Sequence, residues 1–146
     1  MKNIKLVIEY DGTNCQGWQV QKNGRTVQGE IEKALAILLK KETKLYGSGR
    51  TDAGVHALGQ VANFKGIFTI PVENIPYALN SILPRDISVK SAIEVQENFH
   101  AQYSAIGKKY IYKIYNSAFR SALFRNYAYF IPESLNIKNM QEASKY

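Results

Sequence analysis

The run Gly47-Ser48-Gly49-Arg50-Thr51-Asp52-Ala53-Gly54-Val55-His56-Ala57 holds the residues best suited to chemistry. Its glycines Gly47, Gly49 and Gly54 mark a backbone with unusual torsions or a close approach to something else. Between them stand Arg50 and Asp52, two residues apart. In an extended segment that spacing sends both side chains to one side. A guanidinium beside a carboxylate favours the charged form. An aspartate so held suits a nucleophile or electrostatic stabiliser better than a general acid. Spacing alone also suits, and favours, a plainer reading in which an Arg–Asp pair caps a tight turn. The glycines do not have phosphate-loop spacing, and no Lys-Ser/Thr pair follows them.

The surrounding chain must position this loop. Ile4, Leu6, Ile8 and Tyr10 alternate within Lys2 to Tyr10, which reads as a strand ended by the turn pair Asp11-Gly12. Thr13 to Arg25 reads as loop. Val27, Ile31, Leu35, Leu38 and Leu39 form one apolar stripe of a helix over Thr26 to Lys41, with Thr26 as N-cap. Glu30 and Glu32 suit the start of that helix, and Lys40 and Lys41 its end. Short strands are expected at Lys44 to Ser48 and Leu58 to Phe64, then a helix over Val72 to Leu83 between Pro71 and Pro84. Ile87 to Val95, Lys108 to Asn116 and Arg125 to Ile131 read as strands, and Leu135 to Tyr146 as the start of a helix. The order β-α-β-β-α-β, then β-β-α, is α+β with a ferredoxin-like (split βαβ) first half. The expected division is 1–105 as the half with the reactive loop, and 106–146 as the start of an incomplete second half.

Composition narrows the function. A chain of 146 residues, 45% hydrophobic and 21% charged, is that of a globular protein rather than a disordered one. Its apolar runs are too short for a membrane span, and Met1 to Tyr10 lacks the pattern of a signal peptide. Cys15 is the single cysteine, so no internal disulfide can form, which suits a reducing compartment. With two histidines beside it, a zinc cluster is not expected. Nineteen lysines and arginines against twelve acids give +7, a pointer toward a polyanion. Lys108, Lys109 and Lys113 interleave with Tyr110, Tyr112 and Tyr115, the mixture of cations and stacking faces that nucleic acid requires. Trp18 reads as a core anchor, His100 as structural and Cys15 as an unreactive thiol. His56 reads equally as an RNA contact or as a loop histidine held by backbone.

The run Gly49 to His56 resembles the active-site motif of the tRNA pseudouridine synthase A (TruA-type) family. Four further islands resemble family signatures in the same order. They are Tyr10-Asp11-Gly12-Thr13 with Gly17-Trp18-Gln19, then Thr26-Val27-Gln28, then Leu79-Asn80-Ser81 through Leu83-Pro84 and Asp86-Ile87, then Phe99-His100-Ala101 with Lys109-Tyr110 and Tyr112, which resembles the family's second active-site segment. Cys15 departs from the pattern, since an aromatic residue is common there. The resemblance implies a pseudouridine synthase fold with its C-terminal half truncated. It implies an isomerase that turns uridine into pseudouridine at positions 38, 39 and 40 of the tRNA anticodon stem-loop. Asp52 matches the catalytic aspartate, Arg50 the arginine that pairs with it and displaces the base, and Tyr110 the tyrosine that stacks on the flipped uracil. No cofactor and no metal are implied. A cytoplasmic homodimer is, as is a longer chain, so that these residues alone are expected to be inactive. The rival is an RNA-binding module without turnover.

Overall fold

The computed structural model describes residues 1–146, which divide into two compact units, Met1–Ile106 and Gly107–Tyr146. The first unit runs β1 (Lys2–Tyr10), α1 (Val27–Leu39), β2 (Leu45–Gly47), β3 (Ala57–Gly66), α2 (Ile75–Asn80) and β4 (Ile87–Val95). Its sheet has the order β2-β3-β1-β4 with every pairing antiparallel. The β-α-β-β-α-β order expected from the alternation is the one found, with β3 inserted between β1 and β2.

Strand periodicity sets the layers. Ile4, Leu6, Ile8 and Tyr10 face inward, level with Ala62 and Phe64 of β3 and Ile87 and Val89 of β4. The α1 stripe Val27, Ile31, Ala34 and Leu35 and the α2 residues Ile75 and Leu79 cover them in one core. Thr26 caps α1 by accepting from the Gly29 N–H. Glu32 does not sit in the first turn as expected. Its carboxylate accepts from the Leu45 N–H while the Gln28 amide donates to the Leu45 carbonyl. At the other edge Asn80 does the same for Val89, accepting from its N–H and donating to its carbonyl. Helix side chains thus occupy backbone groups at both sheet edges, where unpaired N–H and C=O groups would invite another strand.

The second helix is shorter than its apolar pattern suggested. Val72–Asn74 forms a separate 3-10 turn, and α2 begins only at Ile75. Pro76 explains the break, because a proline lacks the N–H that an interior position must donate.

The face opposite the helices carries a buried polar lock. The Asn63 amide donates to Asn3 Oδ1 and accepts from the Ala101 N–H, while Asn3 Nδ2 donates to the carbonyls of Gln96 and Phe99. These bonds hold the segment after β4 across the sheet.

In the second unit β5 (Ile114–Asn116) and β6 (Tyr129–Ile131) pair in parallel, and α3 (Ile137–Ala143) follows its N-cap Asn136. The strands expected over Lys108 to Asn116 and Arg125 to Ile131 shrink to these three-residue pieces. A strand persists only where a partner takes its backbone groups, and β6 meets only the end of the longer run. Tyr115 packs on Phe124 and Phe130, yet no residue of this unit is buried. No helix of the chain is long and apolar enough to cross a membrane.

The lock supplies a test. Asn63→Ala orphans the Ala101 N–H and Asn3 Oδ1, at about 1–3 kcal/mol per buried group. Urea denaturation should show a loss of about 2–4 kcal/mol, against at most about 0.5 for the exposed Lys65→Ala on the same strand. Equal effects would remove the lock from the account of the fold.

Candidate active site

Two loops meet at one end of the sheet. The first follows β1 and contains Asp11 to Arg25; the second joins β2 to β3 and contains Arg50 and Asp52. Their backbones are bonded directly: the Trp18 N–H donates to the Thr51 carbonyl at 3.0 Å, and the Gly54 N–H to the Cys15 carbonyl at 3.2 Å. The Tyr10 hydroxyl, at the end of β1, meets Thr51 Oγ1 at 2.8 Å, and burial pushes the Tyr10 phenol up from its usual pKa. On the far side Ser48 N–H donates to the Val61 carbonyl and the Gln60 amide to the Gly49 carbonyl.

Contact this close leaves no room for side chains. A Cβ on Gly12 would lie 2.0 Å from the Val55 carbonyl oxygen, and one on Gly17 2.5 Å from that of Thr51. Gly17 also has φ +84°, in the left-handed region. Trp18, 2% exposed, fills the space beneath, against Gly47 and 6.0 Å from the Tyr10 ring. It is the core anchor expected of it. Cys15 is buried, and that burial pushes its thiol pKa up, as an unreactive thiol requires.

The loop then turns outward. The Val55 N–H returns to the Asp52 carbonyl, and Gly54 has φ +79° at the third turn position, where a type II turn needs it. Arg50 and Asp52 sit exposed ahead of this turn. With Gln16, Gln19, Gln21, Thr51 and Ala53 they line a depression of about 430 Å³. They form no ion pair with each other, unlike the pairing expected from their spacing. Both side chains are in water, where an exposed pair gains little over its hydration and loses rotamer freedom. The two groups therefore share a site, each open to an incoming ligand.

His56 closes the loop as a bridge. Its Nδ1 lies 3.1 Å from the Gly12 N–H and 3.1 Å from Asp11 Oδ1. A neutral ring accepts from Gly12, whereas a protonated one donates to Asp11. Tyr110 lies in the second unit, 67% exposed, in a stretch without regular structure.

The expectations missed the pair Arg25–Asp86. The guanidinium grips the carboxylate through two bonds of 2.6 Å. This hydrogen bonding holds the Asp86 carboxyl below its usual pKa and raises that of Arg25. The Asp86 carbonyl also accepts from the Asp11 N–H, tying the first loop to the entry of β4. The glutamines lining the depression, Gln16, Gln19 and Gln21, carry no local signal of that role beyond the place of Gln19 beside Gly17-Trp18.

The family profile described as tRNA pseudouridine synthase covers residues 6–104, more than half of the chain, and the chain belongs to that family. Over 146 residues it is 55% identical to tRNA pseudouridine synthase A of Caldicellulosiruptor bescii and 53% identical to that of Acetivibrio thermocellus. Each of these matches takes in 100% of this chain and 60% of the relative. Tested against tRNA pseudouridine synthase A 2 of Clostridium tetani, 99% of this chain matches 59% of the relative at 50% identity. The chain thus spans about 60% of the length of these curated relatives.

The clamp and the ion pair each yield a test. Overpacking costs about 1–3 kcal/mol or more, so Gly12→Ala and Gly17→Ala should destabilise more than Gly54→Ala, whose Cβ would meet nothing within 4 Å. Trypsin cleavage after Arg50 should accelerate more in the first two than in Gly54→Ala, which strains only a left-handed turn position. Similar behaviour of all three would dissolve the clamp.

Asp86 has a folded-state pKa lowered by Arg25, so its contribution is present above the unfolded pKa of about 3.9. It fades as pH falls below about 4 and through the folded value. Arg25→Met should cost about 1–3 kcal/mol at neutral pH and flatten stability against pH across that acid range. An unchanged acid slope would show that the pair is not its source.

Proposed function

We propose that the protein is a tRNA pseudouridine synthase in which Asp52 is the nucleophile. The observation that carries this reading is one depression lined by Arg50 and Asp52, on a loop held by the loop that follows β1. Family membership adds support. The substrate is uridine at positions 38, 39 and 40 of the anticodon stem-loop.

The reaction breaks the bond from ribose C1′ to uracil N1 and makes one from C1′ to C5, where the displaced hydrogen is lost as a proton and N1 gains one. No electrons are transferred and no water is consumed. The base must first leave its stack, at a cost of a few kcal/mol. Arg50 offsets this by occupying the vacated space, and Tyr110 by stacking on the flipped ring. Asp52, exposed at the lip of the depression, reacts with the presented nucleotide. His56, at the end of the same loop, is a further RNA contact on this reading. The assembly is a cytoplasmic homodimer, and residues 106–146 begin the second half of the synthase fold.

Single-turnover assays at enzyme excess on anticodon stem-loop RNA, with chemical tagging of pseudouridine and mass analysis, test this. Asp52→Asn should bind the RNA as tightly and lose at least about a thousandfold in rate. Retention of a tenth of the rate would remove Asp52 as nucleophile. RNA binding with no turnover by the unaltered protein would leave only an RNA-binding module.

A further inference from the structure

Away from the Asp52 loop, the sheet face opposite the helices carries a ladder of rings that the proposed chemistry does not use. Tyr46 of β2, His100 and Tyr103 meet in sequence, with ring centroids 5.0 Å and then 4.4 Å apart and planes tilted by 49° and 32°. Tyr103 is 81% exposed and Tyr46 37%. Hydrophobic burial therefore does not account for the arrangement. The rings are nevertheless fixed. Tyr46 stands in register with Asn63, whose carboxamide oxygen takes the Ala101 N–H, so the polar lock holds the turn bearing His100 over the sheet. Within that turn the Ser104 N–H donates to the His100 carbonyl, and His100 Nδ1 accepts from the Gln102 N–H, which fixes the ring's orientation.

Lysines border the ladder. Lys44 Nζ lies 5.6 Å from the centre of the Tyr46 ring. Lys5 is paired with Asn63 across β1 and β3, and Lys65 is two residues further on, so both stand on the ladder's face. None of these three lysines is in an ion pair. Stacking faces bordered by unneutralised cations suit unpaired bases with their phosphates, and neither an apolar protein surface nor an acidic peptide needs both. Tyr46 stands four residues before Arg50, at most about 13 Å at strand spacing, yet no ring of the ladder lines the Asp52 depression, so the ladder is a neighbouring surface on the sheet and not part of that depression.

We propose that the Tyr46–His100–Tyr103 ladder is a stacking platform for single-stranded RNA, with Lys44, Lys65 and Lys5 meeting its backbone. The ladder takes bases by their faces, without sequence preference, and adds affinity and direction to an RNA whose reacting uridine lies elsewhere. It goes beyond the proposed synthase reading and does not depend on turnover.

Fluorescence anisotropy on the intact chain at low salt tests it, with two labelled probes: a short oligouridylate, and an abasic oligonucleotide of equal length that keeps the phosphates. The oligouridylate should bind more tightly than the abasic probe. Tyr103→Ala should weaken the oligouridylate about five- to a hundredfold and leave the abasic probe unchanged, while Tyr103→Phe binds like the parent. Lys44→Gln with Lys65→Gln should weaken both probes. Tyr103 is exposed, so matched melting curves will establish that its variants fold. Equal binding of the two probes, no binding of either, or an unaffected Tyr103→Ala overturns the platform. Arg50→Gln separates this from the synthase reading. If it abolishes oligouridylate binding while Tyr103→Ala does not, RNA sits in the Asp52 depression alone, and the platform fails while the proposed function stands.

Discussion

The contact between the loop after β1 and the loop before β3 is the constraint on which the site depends. Backbone lies against backbone there, with Gly12 and Gly17 at the points where any side chain would collide with the carbonyls of Val55 and Thr51. Two main-chain hydrogen bonds and the Tyr10–Thr51 hydroxyl contact join the loops. Backbone polar groups that leave water must find partners, and here each loop supplies those of the other. Neither conformation can form without its counterpart. The clamp thereby converts a polar, glycine-rich segment into a fixed mount.

Rigid and exposed parts are divided sharply. Trp18, Tyr10 and Cys15 are buried beneath the loops, and Arg25 with Asp86 fixes the first loop from the side. Arg50 and Asp52 emerge above with no partner of their own. A reactive group needs its anchoring paid for by neighbours, since its own bonds must be free for the ligand. The sheet edges follow a related logic. Leu45 and Val89 would offer unpaired backbone to another chain, and Glu32, Gln28 and Asn80 occupy it.

Much of the first unit was legible because periodicity reports burial. Lys2–Tyr10 and Ile87–Val95 have the strand bounds that their alternation drew, and the stripe on α1 faces the core. Shortfalls have physical causes. Pro76 postponed α2, which an apolar count does not register. Lys108 to Asn116 looks like a strand in isolation, but pairing depends on what lies beside it. In the site, Gly17 and Trp18 were visible as a motif, yet not as the floor under Thr51, because sequence does not display which backbones touch. Spacing suggested an ion pair for Arg50 and Asp52; an exposed turn makes that pair unnecessary. Arg25 and Asp86, 61 residues apart, had no local signal at all.

Amide hydrogen exchange followed by NMR tests the clamp most directly. The amide protons of Trp18 and Gly54 donate across the two loops, and that of Gly12 donates to His56. If the loops form one cooperative unit with the sheet, these protons should exchange nearly as slowly as those of β1, at close to the free energy of global unfolding. Exchange at the rate of a free surface loop, with β1 still protected, would show that the loops open independently and that Asp52 is not held in place by their contact.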